Sequence, residues 1–164
     1  MKLLIIFLLS FIIKSFQGAI IYAPEMRTEV LTFLNEARKH NIKIDSFKTL
    51  TIRFSKKLER MAFNGFAPNI FGEHKLILIN PYSWGSFSPA QRMLLIAHEM
   101  GHSLLKRAHE VPYKDSIMRA HAVSSVTSDF MRDNKFYWDE LFSKYGTLSY
   151  ISDQWDISSD SPRY

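Results

Sequence analysis

The chain has 164 residues, of which 46% are hydrophobic and 23% charged, enough for one domain with a buried core and too few for two ordinary domains. The absence of cysteine excludes disulfides, thiolate metal sites and cysteine nucleophiles, so that only His, Asp or Glu side chains could hold a metal. The net charge of +5 falls to +3 without Lys2 and Lys14, which is too low to indicate binding to nucleic acid.

The first residues predict a signal peptide over residues 1–19. Lys2 is followed by an apolar stretch from Leu3 to Ile13 that only Ser10 interrupts, and this stretch is shorter than the about 20 apolar residues that span a bilayer. An uncleaved anchor or a buried core helix is the alternative interpretation. Export and the absence of cysteine together indicate a bacterial protein that is periplasmic or secreted and that contacts the membrane only through this segment.

The middle of the chain predicts one helix and two strands. From Pro24 to His40 apolar residues recur at steps of three and four, which predicts a helix with one buried face. The alternation over Leu50–Phe54 predicts a half-buried strand, which we expect to begin the sheet. Residues 55–74 are mixed and are not resolved into elements, with turns expected at Gly65, Pro68, Asn69 and Gly72. The apolar run in Lys75–Asn80 predicts a second strand, and Tyr82–Phe87 is expected to be a loop.

A second helix is predicted from Ser88 onward. Ser88 is a capping residue, Pro89 suits the first helical position, and Gln91 stands three residues after the cap, which together are typical of a helix start. The apolar residues that follow continue the helical pattern to Leu104. This helix contains an H-E-x-x-H motif.

The motif His98-Glu99-Met100-Gly101-His102 has the spacing of a zinc site. His98 and His102 lie at i and i+4 on one helix face, so that both imidazoles can reach one zinc ion (Zn²⁺). Glu99 is turned about 100° from His98 and can act as general base on a water molecule at the open coordination position. The alternative is that these histidines are structural or solvated residues of an amphipathic helix.

A third ligand requires the helix to end. On a straight helix His109 would lie about 10.5 Å along the axis from His102, too far for one ion to bind both. We therefore expect the helix to end between Leu105 and Arg107 and the chain to turn back, so that His109 coordinates. Other candidates for the third ligand are Glu110, His121 and Glu140.

The sequence resembles the metzincin metallopeptidases at this point, because His98, Glu99 and His102 match the first part of their pattern H-E-x-x-H-x-x-G-x-x-H. Ser116-Ile117-Met118 looks like the metzincin Met-turn, in which the methionine, here Met118, forms an apolar floor beneath the metal. Residues 75–120 are also similar to little-characterised predicted bacterial zinc peptidases with His-Glu-Leu-Gly-His and a third histidine after Arg-x. The resemblance implies hydrolysis of peptide bonds.

The chain departs from the metzincin pattern after the second histidine. Leu105 stands in the place of the turning glycine, Ala108 in that of the third histidine, and His109 comes one residue late. We expect the extra residue to lengthen the return path to the metal, with Lys106 and Arg107 at the helix C-terminus, where cations are favoured.

The C-terminal part predicts one more helix. Asp133 can cap a helix from Asn134 to Tyr145 that Gly146 ends, and residues 147–164 form a polar tail. The side chains expected on the buried face of this helix are Phe136, Tyr137, Leu141, Phe142 and Tyr145.

These patterns predict a single α+β domain over residues 20–146, and the resemblance implies that it is of the zincin or metzincin type. We expect a small mixed sheet packed on the N-terminal helix and the zinc-binding helix, and a C-terminal helix. We expect an exported, monomeric zinc metalloendopeptidase that acts on peptides or proteins. Lys75–Asn80 would pair with the substrate as an edge strand, unless it is an interior strand. The alternatives are an exported binding protein that keeps the fold without turnover, and a gluzincin-like peptidase with Glu140 as third ligand.

Overall fold

A four-stranded mixed sheet forms one layer of the protein in the computed structural model, which describes residues 19–42, 47–68, 73–111 and 113–143. The strands are β1 (Ala19–Tyr22), β2 (Thr49–Phe54), β3 (Gly65–Phe66) and β4 (His74–Ile79). Their order is β1-β2-β4-β3, and the first three of these run parallel while β3 is antiparallel to β4.

Helices supply the rest of the described fold. The α-helices are α1 (Arg27–Lys39), α2 (Pro81–Ser86), α3 (Pro89–Leu105), α4 (Ala122–Ser125), α5 (Thr127–Arg132) and α6 (Asn134–Ser143), and short 3₁₀ helices cover Pro24–Met26 and Lys56–Met61. The predicted α+β class with a small mixed sheet is thereby confirmed. No helix among the described residues has the length and apolar character needed to cross a membrane.

Helix α1 packs on α3 and α6 through the apolar face that its sequence predicts. Met26, Val30 and Phe33 are fully buried, as the steps of three and four require. The ring of Phe33 contacts Phe142 of α6 at a centroid distance of 5.6 Å. The helix predicted over residues 24–40 is therefore confirmed, with its first turn in 3₁₀ form.

The strand predicted over Leu50–Phe54 is confirmed as β2, but it does not begin the sheet. Ala19–Tyr22 precedes it as β1 and pairs with it in parallel, Ala19 opposite Thr49. The first strand was missed because its first residue, Ala19, lies within the predicted signal peptide over residues 1–19 and its other three residues follow directly after it. Residues 1–18, which carry most of that prediction, lie outside the described residues.

The second predicted strand is confirmed as β4, and it lies inside the sheet. One side pairs with β2 along its whole length, and on the other side Leu78 and Ile79 pair with Phe66 and Gly65 of β3. The prediction that Lys75–Asn80 forms the edge next to the substrate is therefore wrong at its C-terminal end. The edge strand of the described sheet on this side is β3.

Residues 82–87 were expected to form a loop, and most of them belong to helix α2 instead. The Asn80 side-chain oxygen accepts hydrogen bonds from the backbone N–H groups of Tyr82 (3.0 Å) and Ser83 (3.4 Å). Pro81 occupies the first helical position, where its missing N–H costs nothing. Asn80-Pro81 thus ends β4 and begins a helix, and only the first effect was predicted.

Helix α3 begins and ends where the sequence indicates. A capping box joins Ser88 and Gln91, with the Gln91 N–H 3.3 Å from Ser88 Oγ and the Ser88 N–H 2.9 Å from Gln91 Oε1. At the other end Lys106 adopts the left-handed conformation (φ 53°, ψ 30°), and the Gly101 carbonyl accepts a hydrogen bond from the Arg107 N–H. The helix therefore stops before Arg107, as the predicted return of His109 requires.

The predicted C-terminal helix is present as α6. Asp133 caps it, because its Oδ1 accepts a hydrogen bond from the Phe136 N–H at 3.1 Å. The prediction is wrong for the Phe136 side chain, which is exposed, and it omitted Trp138, which is buried. The periodicity of this segment is blurred by three consecutive aromatic residues, Phe136, Tyr137 and Trp138, so its faces could not be separated by sequence alone. Tyr145, Gly146 and the tail 147–164 lie outside the described residues.

Candidate metal centre

Three histidine side chains converge at the C-terminal half of α3. His98 Nε2 lies 3.0 Å from His102 Nε2 and 3.2 Å from His109 Nε2, and one ligand atom from each residue lies within 4.8 Å of the others. A tetrahedral ion with nitrogen ligands at 2.0–2.1 Å places those nitrogens about 3.4 Å apart. The turn after Leu105 thus brings His109 back to the helix, and the group has the dimensions of a metal site.

Backbone carbonyls fix the orientation of two of these rings. His98 Nδ1 donates a hydrogen bond to the Ile117 carbonyl at 2.7 Å, and His102 Nδ1 donates to the Arg107 carbonyl at 2.6 Å. Because a carbonyl only accepts, each Nδ1 carries the proton and each Nε2 carries a lone pair. Two lone pairs that face each other at 3.0 Å have no proton to share, so a cation is the partner that this arrangement fits.

Burial keeps these histidines neutral at physiological pH. It lowers the pKa of His98 to about 3, with the neighbouring His102 adding to the effect, and it lowers the pKa of His102 to about 4. Desolvation lowers the pKa of His109 as well, followed by the charge of His121. Neutral imidazole is the form that binds metal, so no proton has to be displaced at pH 7.

Glu99 lies beside the histidines without joining them. It is not in the metal-binding group found among the described residues, which consists of the three histidines. Its carboxylate is buried, accepts a hydrogen bond from the Ala67 N–H, and has its pKa raised to about 8 by burial. A carboxylate that is near the centre but is not a ligand has the placement expected of a general base.

Strand β3 comes close enough to Glu99 that only glycine fits at Gly65. A Cβ atom there would lie 2.4 Å from Glu99 Oε1 and 2.8 Å from Glu99 Cγ, well inside van der Waals contact. The sequence suggested a turn at Gly65, but Gly65 belongs to β3, so this contact between β3 and the motif helix was not predicted. An isolated glycine in a strand can mark such a close approach, and that was the one available signal.

Substituting Gly65 by alanine is expected to displace the Glu99 carboxylate and to leave the three histidines in place. If Glu99 serves hydrolysis, the rate should fall by roughly 10-fold to 10²-fold, because a shift of about 1 Å at a reacting group has effects of that size. Zinc content should stay near that of the wild type. Gly85→Ala is the matched control, since its Cβ would meet no atom within 4 Å. Equal rates for both variants would contradict the placement of Glu99.

Met118 packs directly against the metal-binding helix. Its side chain is fully buried, and a Cβ atom at Gly101 would lie 2.5 Å from its sulfur. The fourth residue of the motif is therefore small because the methionine occupies the space next to it. Gly101, which Met118 contacts, directly precedes His102 on α3, and an apolar floor beneath a metal stays a prediction for Met118.

The other candidate ligands stay outside the histidine group. Glu110 and Glu140 both accept hydrogen bonds from Arg107, at 2.9 and 3.1 Å. His121 precedes α4 and is exposed. Among the described residues none of these three belongs to the group that could hold a metal, so the structure gives the gluzincin-like alternative with Glu140 no support.

Metal-free protein is expected to lose stability between pH 6.5 and 8 because of Glu99. In this window the unfolded chain, with an ordinary carboxyl pKa of 4.5, has released a proton that the folded protein retains up to about pH 8. The free energy of unfolding then falls by up to about 1.4 kcal/mol per pH unit. His98 and His102, which stay neutral in the folded protein, make the free energy of unfolding rise with pH, but only below their ordinary pKa of 6.5.

Chemical denaturation of the chelated protein at several pH values within this window measures the effect. Glu99→Gln should remove most of the slope, because the amide does not titrate. Identical slopes in the variant and the wild type would show that Glu99 is ionised in the folded protein.

Comparison of the chain with protein-family models, curated proteins and solved structures gives no match. The geometry of this site is therefore the basis for its function. The features that carry it are the three converging imidazoles, the carbonyl acceptors behind two of them and the buried Glu99 beside them.

Proposed function

We propose that the protein is an exported zinc-dependent metalloendopeptidase of metzincin-like type. The observation that carries the proposal is the convergence of three Nε2 atoms, two pairs of which lie 3.0 and 3.2 Å apart, next to a glutamate that is not a ligand. Three neutral imidazoles with no sulfur ligand suit zinc, and a catalytic zinc site typically has three protein ligands and one open position. The apolar segment Leu3–Ile13 and the absence of cysteine support export.

His98, His102 and His109 would hold the ion, and a zinc ion in such a site supplies Lewis-acid polarisation of a carbonyl and lowers the pKa of water. A cation held by the histidines would favour the ionised form of Glu99 and so lower its raised pKa. The ionised Glu99 takes the proton of the attacking water and passes it to the amine that leaves as the C–N bond breaks. The Ala67 N–H holds the carboxylate in place for this transfer.

Strand β3 is the part of the sheet best placed to bind a peptide. It is the edge strand next to Glu99, and it pairs with β4 on one side. An extended peptide can add to such an edge through main-chain hydrogen bonds. This replaces the role that the sequence suggested for Lys75–Asn80.

Metal content and peptide hydrolysis, measured on the same purified preparation, test the function. We expect one zinc per chain, cleavage of an unstructured peptide mixture, loss of cleavage after chelation and recovery when zinc is returned. Zinc binding without cleavage of any peptide in the mixture would indicate a binding protein that retains the centre. Cleavage by the wild-type protein that survives chelation would overturn the assignment, and so would cleavage at the wild-type rate by Glu99→Gln.

A further inference from the structure

We infer that Arg107 and Glu140 are positioning residues for the metal centre. The buried ion pair that they form at the end of α6 holds the backbone that carries or orients each of the three histidines in the geometry that binds zinc. The inference rests on the proposed function only in that the histidine group takes a metal. Neither residue belongs to that group, so their effect would be exerted through the backbone that carries the ligands. We call this set of contacts the Arg107–Glu140 clamp.

The guanidinium of Arg107 is buried, with 7% of its side chain exposed, and its contacts converge on α6. Nη1 donates to the carbonyls of Leu141 (2.7 Å) and Glu140 (3.2 Å), and Nη2 donates to the carboxylate of Glu140 (3.1 Å). Carbonyls in the last turn of a helix carry partial negative charge, which favours a cation there. The fork geometry of arginine makes all three bonds possible at once.

Two histidine segments are tied to the clamp by Arg107 itself. Its own carbonyl accepts the Nδ1–H of His102 at 2.6 Å, so the position of the Arg107 backbone sets the orientation of that ring. Nη2 also donates to Glu110 at 2.9 Å. His109 lies between Arg107 and Glu110 in the chain, and the Glu110 N–H is further held by the Met118 carbonyl at 2.9 Å.

Glu140 connects the clamp to the segment Ser116–Met118, which orients the third histidine, His98. Its second carboxylate oxygen accepts a hydrogen bond from Ser116 Oγ at 2.8 Å, and that hydroxyl oxygen accepts one from the Met118 N–H at 3.0 Å. Ile117, between these two residues, supplies the carbonyl that orients His98 at 2.7 Å. The backbone that carries or orients each of the three histidines is therefore connected to the same ion pair.

The clamp also explains how the turn after α3 forms without glycine. Lys106 adopts a left-handed conformation that a non-glycine residue resists. The chain must nevertheless leave the helix there for His109 to return. The contacts of Arg107 with α6 oppose continuation of α3 by holding the next residue away from the helical path. In this chain a side-chain anchor thus stabilises the turn.

A buried ion pair is weak grounds for a role in stability alone, because apolar residues often replace such pairs without loss. Substitution of residues that hydrogen-bond to the metal ligands, by contrast, usually changes metal affinity or activity by about 10-fold to 100-fold. Lys114 shares the carboxylates, with its Nζ 3.2 Å from Glu110 and 3.8 Å from Glu140. Glu140→Gln keeps the size of the side chain and removes its charge, which makes it the sharpest probe of positioning.

Zinc affinity of the full chain, measured by competition with a chromophoric chelator, tests the clamp. Each variant is measured at a temperature well below its own unfolding midpoint, and Co²⁺ absorption reports the ligand geometry. Glu140→Gln and Arg107→Lys should each weaken zinc binding by about 10-fold to 100-fold and alter the Co²⁺ spectrum. Asp139→Asn is the matched control, because Asp139 is the neighbouring residue on α6 and contacts His40 and Lys135 instead. It should leave both readouts unchanged.

Unchanged zinc affinity and an unchanged Co²⁺ spectrum in folded Glu140→Gln would overturn the inference, whatever the change in its unfolding midpoint. Ser116→Ala, which removes only the link toward His98, provides the same test if the charge variants do not fold. A wild-type protein that binds zinc but hydrolyses nothing would overturn the peptidase proposal and leave the affinity comparison intact. Equal affinities in an active enzyme would overturn the clamp alone.

Discussion

Replacing His102 by alanine is expected to abolish stoichiometric zinc binding. The substitution removes one of the three nitrogens that converge on the site, so that only His98 and His109 remain as ligands. It also removes the ring that the Arg107 carbonyl orients at 2.6 Å. Substitution of a residue that only hydrogen-bonds to a ligand lowers metal affinity by about 10-fold to 100-fold. Loss of a ligand itself should therefore lower zinc affinity by more than about 100-fold. Elemental analysis of the purified variant measures the effect.

His121→Ala is the control for this experiment. His121 is the nearest histidine in sequence after His109 and was itself a candidate ligand, but the structure leaves it outside the histidine group. Its variant should therefore retain one zinc per chain. Equal zinc content in His102→Ala and the wild type would reject the metal centre, and loss of zinc in His121→Ala would show that the ligand set differs from the three converging histidines.

The helical part of the centre could be predicted because it depends on local sequence. The i and i+4 spacing places His98 and His102 on one face of any α-helix, and the capping box at Ser88 fixes where that helix begins. The end of the helix followed from a distance argument, since one ion cannot reach residues about 10.5 Å apart along a helix axis. The return of His109 needed no knowledge of the rest of the fold.

The remaining parts of the site depend on contacts between segments that are far apart in sequence. An isolated glycine at position 65 can signal a close approach, but the sequence does not show that its partner is Glu99, because the approach is set by the pairing of β3 with β4. Glu140 has the residue type of a metal ligand, and only the packing of α6 shows that Arg107 and Ser116 occupy its oxygens. Residue type and spacing identified candidates, and tertiary contacts decided which of them reach the centre.

Replacing Glu99 by glutamine is expected to lower peptide hydrolysis by about 10²-fold to 10⁴-fold while zinc stays bound. Glutamine has the size of glutamate, so the close contact with Gly65 is preserved, and its amide oxygen can still accept the Ala67 N–H. The amide cannot take a proton from water at neutral pH. The rate should therefore fall through loss of the base alone, and kcat/KM together with zinc content measures this.

The matched control for Glu99→Gln is Glu29→Gln. Glu29 on α1 is another glutamate with little exposure, 8% against 5% for Glu99, and it is not among the residues that form or flank the histidine group. Its variant should keep both zinc and activity, which separates the effect of replacing a buried carboxyl group by an amide from the loss of a base. A Glu99→Gln variant that holds zinc and hydrolyses peptides at the wild-type rate would show that the proton is accepted elsewhere. A variant that loses its zinc would instead make Glu99 part of what holds the metal, since the glutamine fits the same space and only the charge has changed.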